Sequence, residues 1–174
     1  MISHKLNFIF IHIPKTSGNS LSLFLKDLID NIVIIRANNM GEKQGISILC
    51  EKTREDIKHR GIKYYKNTYG KKINDYFKFT IVRNPYDRIL SHYFFSKGKN
   101  NQVFNRKEFI HFENLIDELK NIECFKGIVD FNNYPTLNTS SNSKRNYNEI
   151  FDKELKDLVF NKYKKDFELF DYKY

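Results

Sequence analysis

The sequence predicts an α/β fold: a single domain over residues 1–174, with a central, mostly parallel sheet flanked by helices. Three observations predict it. The run Phe8-Ile9-Phe10-Ile11-His12-Ile13 is apolar on both faces, as a strand buried on both sides of a parallel sheet must be. A second such run, Phe77-Lys78-Phe79-Thr80-Ile81-Val82, follows much further along. Each run stops at a polar turn and passes into an apolar-periodic segment, so strands alternate with helices. A length of 174 residues allows a real core within one domain.

Composition narrows the partners. The net charge is +9, with 30 Lys and Arg against 21 Asp and Glu, which favours an anionic partner such as a nucleotide, an acidic glycan, a nucleic acid or a membrane surface. Lysines that merely solvate the surface account for most of that charge. Cys50 and Cys124 are far apart and form no CxxC pair, so a reducing compartment fits better than a disulfide framework. No stretch approaches the roughly 20 apolar residues of a membrane span. The N-terminal apolar run lacks a small-residue cleavage site and is read as a strand, not a signal peptide. A cytoplasmic location is the expectation, and the Lys-, Asn- and Ile-rich composition suggests an AT-rich, bacterial genome. The sequence carries no mark of an oligomeric state.

The first strand spans residues 7–13 and stops at Pro14. Lys15, Thr16, Ser17, Gly18, Asn19 and Ser20 then lead into a helix over about 18–30, with Leu21, Phe24, Leu25, Leu28 and Ile29 as its buried stripe. Such a turn aims several backbone N–H groups at one spot. The helix dipole adds positive potential and Lys15 a full charge, giving a pocket for a phosphate-like anion. The pattern is not a Walker A loop, whose Lys closes the loop in GxxxxGK[ST]; here Lys15 opens it. The plain alternative is an ordinary strand–turn–helix with an incidental Lys.

Ile32 to Ile35 reads as a second strand, residues 38–45 as a polar loop, and Ile46 to Leu49 as a short extended run. Thr53 with Asp56 then forms a variant capping box that opens a helix. Residues 61–75, rich in Lys and Tyr, read as a connecting wet loop in which stacking aromatics and Lys could grip a sugar or polyanion. The strand from Phe77 to Val82 ends at Arg83, followed by Asn84-Pro85-Tyr86-Asp87-Arg88. Pro85 suits the first turn of a helix. Arg83 therefore sits at the carboxyl end of a strand, where α/β sheets bind ligands. Ser91 lies about two turns along that helix.

HIPKTSGNS and FTIVRNPYDRILSHYFF, in that order and each at a strand end, together resemble the sulfotransferases that use 3′-phosphoadenosine 5′-phosphosulfate (PAPS). The likeness is strongest to the branch that sulfates carbohydrate hydroxyls, the heparan-2-O- and chondroitin-type enzymes and their bacterial relatives. It implies a P-loop-like nucleotide-binding fold and transfer of a sulfuryl group from PAPS to an acceptor hydroxyl, leaving 3′-phosphoadenosine 5′-phosphate (PAP). By this resemblance Lys15 and residues Thr16, Ser17, Gly18, Asn19 and Ser20 hold the 5′-phosphosulfate, with Lys15 catalytic, and Arg83 and Ser91 hold the 3′-phosphate.

Many relatives carry His-x-Thr-x-x-x-Ile, with His as the base. Thr53 and Ile57 match, but Glu51 stands at the His position. Glu51 is the first candidate for the base; a solvated surface carboxylate is the plain alternative. His59, within the helix expected after Thr53, is the second. His12 reads as a core or supporting residue, and His92 as one that packs.

Beyond the second motif, Phe109 to Leu115 resembles the family segment FIGRFENL, with His111 in place of Arg. Residues 115–125 read as a helix. Tyr134 to Ser140 resembles the LPHLNxS loop that closes over the cofactor, which brings Thr139, Ser143, Lys144 and Arg145 toward adenine or phosphate; a surface loop is the alternative. A last helix covers about 148–166, and DFELFDY resembles the family's DxxxFGY ending. The resemblance implies a carbohydrate or glycolipid acceptor, no nucleic acid partner and no required metal. No Cys/His cluster has metal-ligand spacing.

Three rival readings remain. A P-loop-type kinase or NTPase would need ATP and Mg²⁺, yet the Walker Lys and a Walker-B strand are missing. A basic nucleic-acid-binding module leaves both strand-end anion motifs superfluous. A sulfotransferase fold that has lost activity would account for Glu51, His111 and the short connection at 97–106.

Overall fold

The computed structural model describes residues 1–30, 32–37, 45–50, 56–95, 110–135 and 146–173. In chain order the strands are β1 (Ile2–Ser3), β2 (Phe8–Ile11), β3 (Ile32–Ala37), β4 (Gly45–Cys50), β5 (Phe77–Val82) and β6 (Ile110–His111). The helices are α1 (Gly18–Phe24), α2 (Ile62–Tyr69), α3 (Pro85–Phe95), α4 (Leu115–Lys120), α5 (Tyr147–Ile150), α6 (Lys153–Lys162) and α7 (Lys164–Leu169). The architecture is α/β.

One sheet has the order β1-β2-β5-β6, and β3 and β4 form an antiparallel pair of their own. β2 and β5 run parallel, with Phe8 opposite Phe77 and Ile11 opposite Thr80. β6 adds parallel to β5, and β1 antiparallel to β2. The Thr80 hydroxyl donates to the Ile11 carbonyl at 2.7 Å and ties the two central strands near their carboxyl ends. Parallel pairing therefore brings the turn after β2 and the turn after β5 to the same edge of the sheet.

All of β2 is buried, so its alternating side chains feed two cores. Phe8 and Phe10 join Phe79, Leu21 and Leu25 of the α1 side, and Leu119, Phe125 and Phe131. Phe8 meets Phe125 edge-on at 5.2 Å, and Phe10 lies 5.1 Å from Phe79, spacings at which aromatic pairs attract. Ile9 and Ile11 point the other way, toward Tyr65 of α2 and Ile73. Each fully buried side chain of this size stabilises by roughly 1.5–3 kcal/mol. A further cluster joins Tyr86 and Leu90 of α3 to Phe151, Val159, Tyr163 and Phe167, which docks the C-terminal helices on α3.

Four element expectations are corrected. The helix expected over 18–30 ends at Phe24 and continues as a 3₁₀ turn, Lys26–Leu28. Beyond it the sheet edge recruits the chain: the Asp30 N–H donates to the Ile2 carbonyl at 2.9 Å, and the Asp30 carboxylate accepts from the His4 N–H. Residues 61–75 are not a wet loop. They form α2 and a 3₁₀ turn, Gly70–Ile73, anchored by Tyr65 at 1% exposure and Ile73 at 0%. The helix expected over 115–125 stops at Lys120, with a 3₁₀ turn at Glu123–Phe125. The last helix is three helices. Asp152 caps α6 by accepting the Leu155 N–H at 2.8 Å, which restarts the helix after Phe151.

No helix among the described residues is long and apolar enough to cross a membrane.

Candidate functional site

The turn after β2 is built from unusual backbone. Lys15 and Ser17 both adopt the left-handed conformation, with φ of 71° and 65°. For residues other than Gly this costs about 1–2 kcal/mol each. Between them Thr16 is fully buried, and its hydroxyl donates to the Ile13 carbonyl at 2.9 Å. A contact from Thr16 to a ligand must therefore come from its backbone. Ser17 precedes α1, and the Leu21 N–H closes the first helical bond onto the Ser17 carbonyl at 3.2 Å. An α-helix leaves the N–H groups of its first turn to acceptors outside the helix. Gly18 opens α1 because nothing larger fits: a Cβ there would lie 1.9 Å from His12 Cδ2 and 2.1 Å from its Nε2.

Arg83 arrives from the end of β5. Its Nη1 donates to the Lys15 carbonyl at 3.4 Å, and its guanidinium carbon stands 4.3 Å from the centre of the Phe112 ring. Burial pushes its pKa down, while Asp87 and Glu113 push it back up; a guanidinium stays charged at any ordinary pH. The turn behind it is fixed twice. The Asn84 side chain accepts the Tyr86 N–H at 3.0 Å, and the Asn84 N–H donates to Glu113 Oε1 at 3.0 Å. Ser91 is half-buried two turns along α3. Beside it His92 has its pKa lowered by burial and then by the charges of Lys15 and Arg88, so α3 passes within the field of the first turn. Arg88 reaches Asp166 at 3.5 Å.

Three buried side-chain polar atoms among the described residues have no hydrogen-bond partner: His12 Nδ1, Asn19 Oδ1 and Arg83 Nε. All three belong to the two strand-end motifs. Leaving such an atom unsatisfied costs about 1–3 kcal/mol, so each of the three calls for a partner from outside the protein, water or ligand. Arg83 Nε is a donor, and Asn19 offers a donor or an acceptor according to how its amide is turned. With Lys15 and the first turn of α1, this set fits the phosphate groups of a nucleotide.

A second cluster flanks the first turn. His59 lies in a turn, not in the helix expected there, because the Ile57 N–H remains tied to the Ile48 carbonyl of β4 at 2.9 Å. Its Nδ1 faces the His12 carbonyl at 3.2 Å, and the two rings are 4.7 Å apart. A carbonyl only accepts, so Nδ1 carries the proton and Nε2 keeps its lone pair. Burial lowers both histidine pKa values, which keeps both rings neutral near pH 7. On the other flank the Tyr134 hydroxyl lies 3.4 Å from Ser17 Oγ, and burial raises the Tyr134 pKa to about 12.

Lys15, Thr16, Ser17, Gly18, Asn19, Ser20, Arg83 and Ser91 all lie on the two turns or on the helices that follow them, and His59 borders the first. Glu51, Thr139, Ser143, Lys144 and Arg145 lie outside the described residues. Sequence reasoning missed Phe112 as the surface under Arg83, and Glu113 and Tyr172 as supports of the second turn. The only signal was that all three fall in segments resembling family motifs. His111, standing where Arg is usual, has Nδ1 3.1 Å from Glu118 Oε1 and Nε2 3.2 Å from the Phe170 carbonyl. Each ring nitrogen thus faces an acceptor, a pair of contacts that an arginine, with five N–H donors, could also make.

Among the described residues no group of three or more His, Cys, Asp or Glu side chains is arranged to hold a metal ion. No curated protein and no solved structure matches the chain. The model of the Sulfotransferase family matches residues 1–134, which contain both strand-end motifs, Phe112, Glu113 and Tyr134. With more than half of the chain inside that match, this protein belongs to the sulfotransferase family.

Proposed function

We propose that the protein is a PAPS-dependent sulfotransferase of the carbohydrate O-sulfotransferase type, with a P-loop-like nucleotide-binding fold, and that residues 1–174 form one sulfotransferase domain. The observation that carries this reading is the meeting of the two motifs, with Arg83 Nη1 on the Lys15 carbonyl at 3.4 Å. Two anion-binding turns that touch suit a ligand with two phosphate positions. The unsatisfied atoms of Asn19 and Arg83 support it. Residues beyond the family match pack on α3 and reach Glu113, which supports a single domain.

When bound, PAPS supplies an activated sulfuryl group and a phosphate leaving group. On this reading Lys15 and the N–H groups of Thr16 to Ser20 hold the 5′ end as donors preorganised for developing charge. Arg83, as a planar fork, and Ser91, as a neutral donor, hold the 3′-phosphate. Thr139, Ser143 and Lys144 close the cofactor side. Glu51 takes the proton of the acceptor hydroxyl, with His59 as the second candidate. His59 has one supporting observation of its own, a neutral ring whose Nδ1 is held by the His12 carbonyl so that Nε2 can accept a proton. The acceptor is a hydroxyl of a carbohydrate or glycolipid. We place the enzyme in the cytoplasm of a bacterium.

Calorimetric binding of PAP against ADP, each with and without Mg²⁺, tests the reading. Metal-independent PAP binding at least about tenfold tighter than ADP, or ~1.4 kcal/mol, is the expected result. Preference for ADP with Mg²⁺ would replace this reading with a kinase or NTPase. Binding of neither would point to a sulfotransferase fold that has lost its activity.

A further inference from the structure

Arg83 is held from behind by a segment far from it in sequence. Phe112 lies under its guanidinium at 4.3 Å, and the next residue, Glu113, accepts the Asn84 N–H on Oε1 at 3.0 Å. The other oxygen of Glu113 accepts the Tyr172 hydroxyl at 3.0 Å. Close by, His111 Nε2 lies 3.2 Å from the Phe170 carbonyl oxygen, and Phe170 packs with Ile13 and Val82, the residues that lead into the two turns. Both Phe170 and Tyr172 lie outside the residues that match the family model.

A carboxylate with each oxygen in a separate hydrogen bond has a fixed orientation. Its bond to Asn84 N–H sets the peptide that joins Arg83 to Asn84, and so the direction in which Arg83 leaves the strand. The Glu113 charge also acts on Arg83 directly, as does Asp87. Tyr172 is the outer tie: burial, then the neighbouring Glu113 charge and hydrogen bond, push its pKa far up, so it stays a protonated donor.

We propose that Glu113 is a positioning residue for Arg83, itself oriented by the Tyr172 hydroxyl, so that the C-terminal segment completes the second anion turn. This rests on the reading of Arg83 as the 3′-phosphate ligand. It assigns a functional part to residues outside the family match, and it separates the two ends of the nucleotide: loss of the clamp disturbs the Arg83 end and leaves the Lys15 end intact.

The test is calorimetry on the full chain with two probes, PAP and AMP, which differ by the 3′-phosphate. For Glu113→Ala, PAP affinity falls about tenfold while AMP affinity stays within about twofold of wild type. Glu113→Gln keeps an acceptor for the Asn84 N–H and stays within about threefold for both probes. Tyr172→Phe weakens PAP alone, by about threefold; it removes one oxygen from a partly exposed site, so it reports even if Glu113→Ala does not fold. Unchanged PAP affinity in Glu113→Ala or in Tyr172→Phe overturns the proposal, and so does an equal loss for both probes, which would mark general damage. A wild-type protein that binds PAP no better than AMP overturns the cofactor reading itself, and this inference with it.

Discussion

The guanidinium of Arg83 and the backbone of Lys15 are in contact: Nη1 lies 3.4 Å from the Lys15 carbonyl oxygen. One side chain at the end of β5 thus touches the turn that follows β2, and any anion held by either turn feels both. Removing that side chain should act on binding. Arg83→Ala is expected to weaken PAP by about 2–3 kcal/mol, the range of a charge-assisted hydrogen bond with its unpaired partner. Arg83→Lys should recover less than half, because an ammonium has neither the fork nor the flat face that lies on Phe112. Lys15→Ala should nearly abolish transfer. Titration calorimetry and single-turnover rates check these; full activity in Lys15→Ala would rule out the first turn as the reacting end.

Gly18 and His12 should be energetically coupled. Gly18→Ala places a Cβ 1.9 Å from the His12 ring, inside a buried site that cannot open without cost. A loss of about 1–3 kcal/mol is expected, as for overpacked cores. Adding His12→Ala removes the obstacle, so the double variant should be at least about 1 kcal/mol more stable than the two single losses predict when added. Urea denaturation of the four proteins measures the coupling, and strict additivity would show that the ring and the glycine do not share the space.

Stability should fall as the pH drops through 6.5. Burial lowers the pKa of His12 well below its ordinary value, and that of His59 as well. Near pH 6 the unfolded chain therefore binds protons that the folded chain refuses. The stabilisation is present above the unfolded pKa of about 6.5 and is lost below it, by up to ~1.4 kcal/mol per pH unit for a fully buried ring such as His12. His59, whose side chain is exposed to water, contributes less. Melts at pH 7.5, 6.5 and 5.5 check the slope, which His12→Asn should flatten. At lower pH Asp87 and Asp166, whose pKa values burial raises, act in the opposite sense.

The two candidate bases can be separated by rate. Glu51→Gln should lower turnover by roughly 10²–10⁴ with PAP binding intact, the range of a lost general base. If turnover is unchanged there and falls instead in His59→Gln, the proton goes to the imidazole.

His111 should tolerate Arg better than Ala. His111→Ala loses the side-chain contacts to Glu118 and Phe170, keeps the backbone N–H bond to Glu118, and should cost about 1–2 kcal/mol. Arginine brings donors enough for both partners. Thermal melts of the two variants decide it; equal losses would mean that the side-chain contacts of residue 111 contribute nothing.

The two turns were legible because each is local: an apolar run, a stop, a charged residue and a helix start within a few positions. The strands Phe8–Ile11 and Phe77–Val82 follow directly from apolar patterning. The helix at Ile62–Tyr69 was hidden because its buried face is made of Tyr, which reads as a polar surface residue until the core that covers Tyr65 is known. The break before α6 was readable in principle, since Asp152 with Lys153 and Glu154 is a helix start, but the apolar period running across it suggested one long helix. The support of Arg83 by Phe112, Glu113 and Tyr172 had no signal beyond the resemblance of their segments to family motifs. It depends on contacts between distant segments, which no local pattern encodes.

The register of Phe8 against Phe77 also has a kinetic side. The strands that carry the two turns pair only after a long loop has closed, and such pairings form slowly because the entropy is lost before the contacts are gained. On the proposed reading neither turn alone offers the second phosphate position, so a chain still searching for this pairing has little with which to hold a nucleotide. A ligand that binds only the paired form leaves the folding arm of the chevron where it was and slows the unfolding arm. On that reading, nucleotide would act as a brake on the unfolding of this chain.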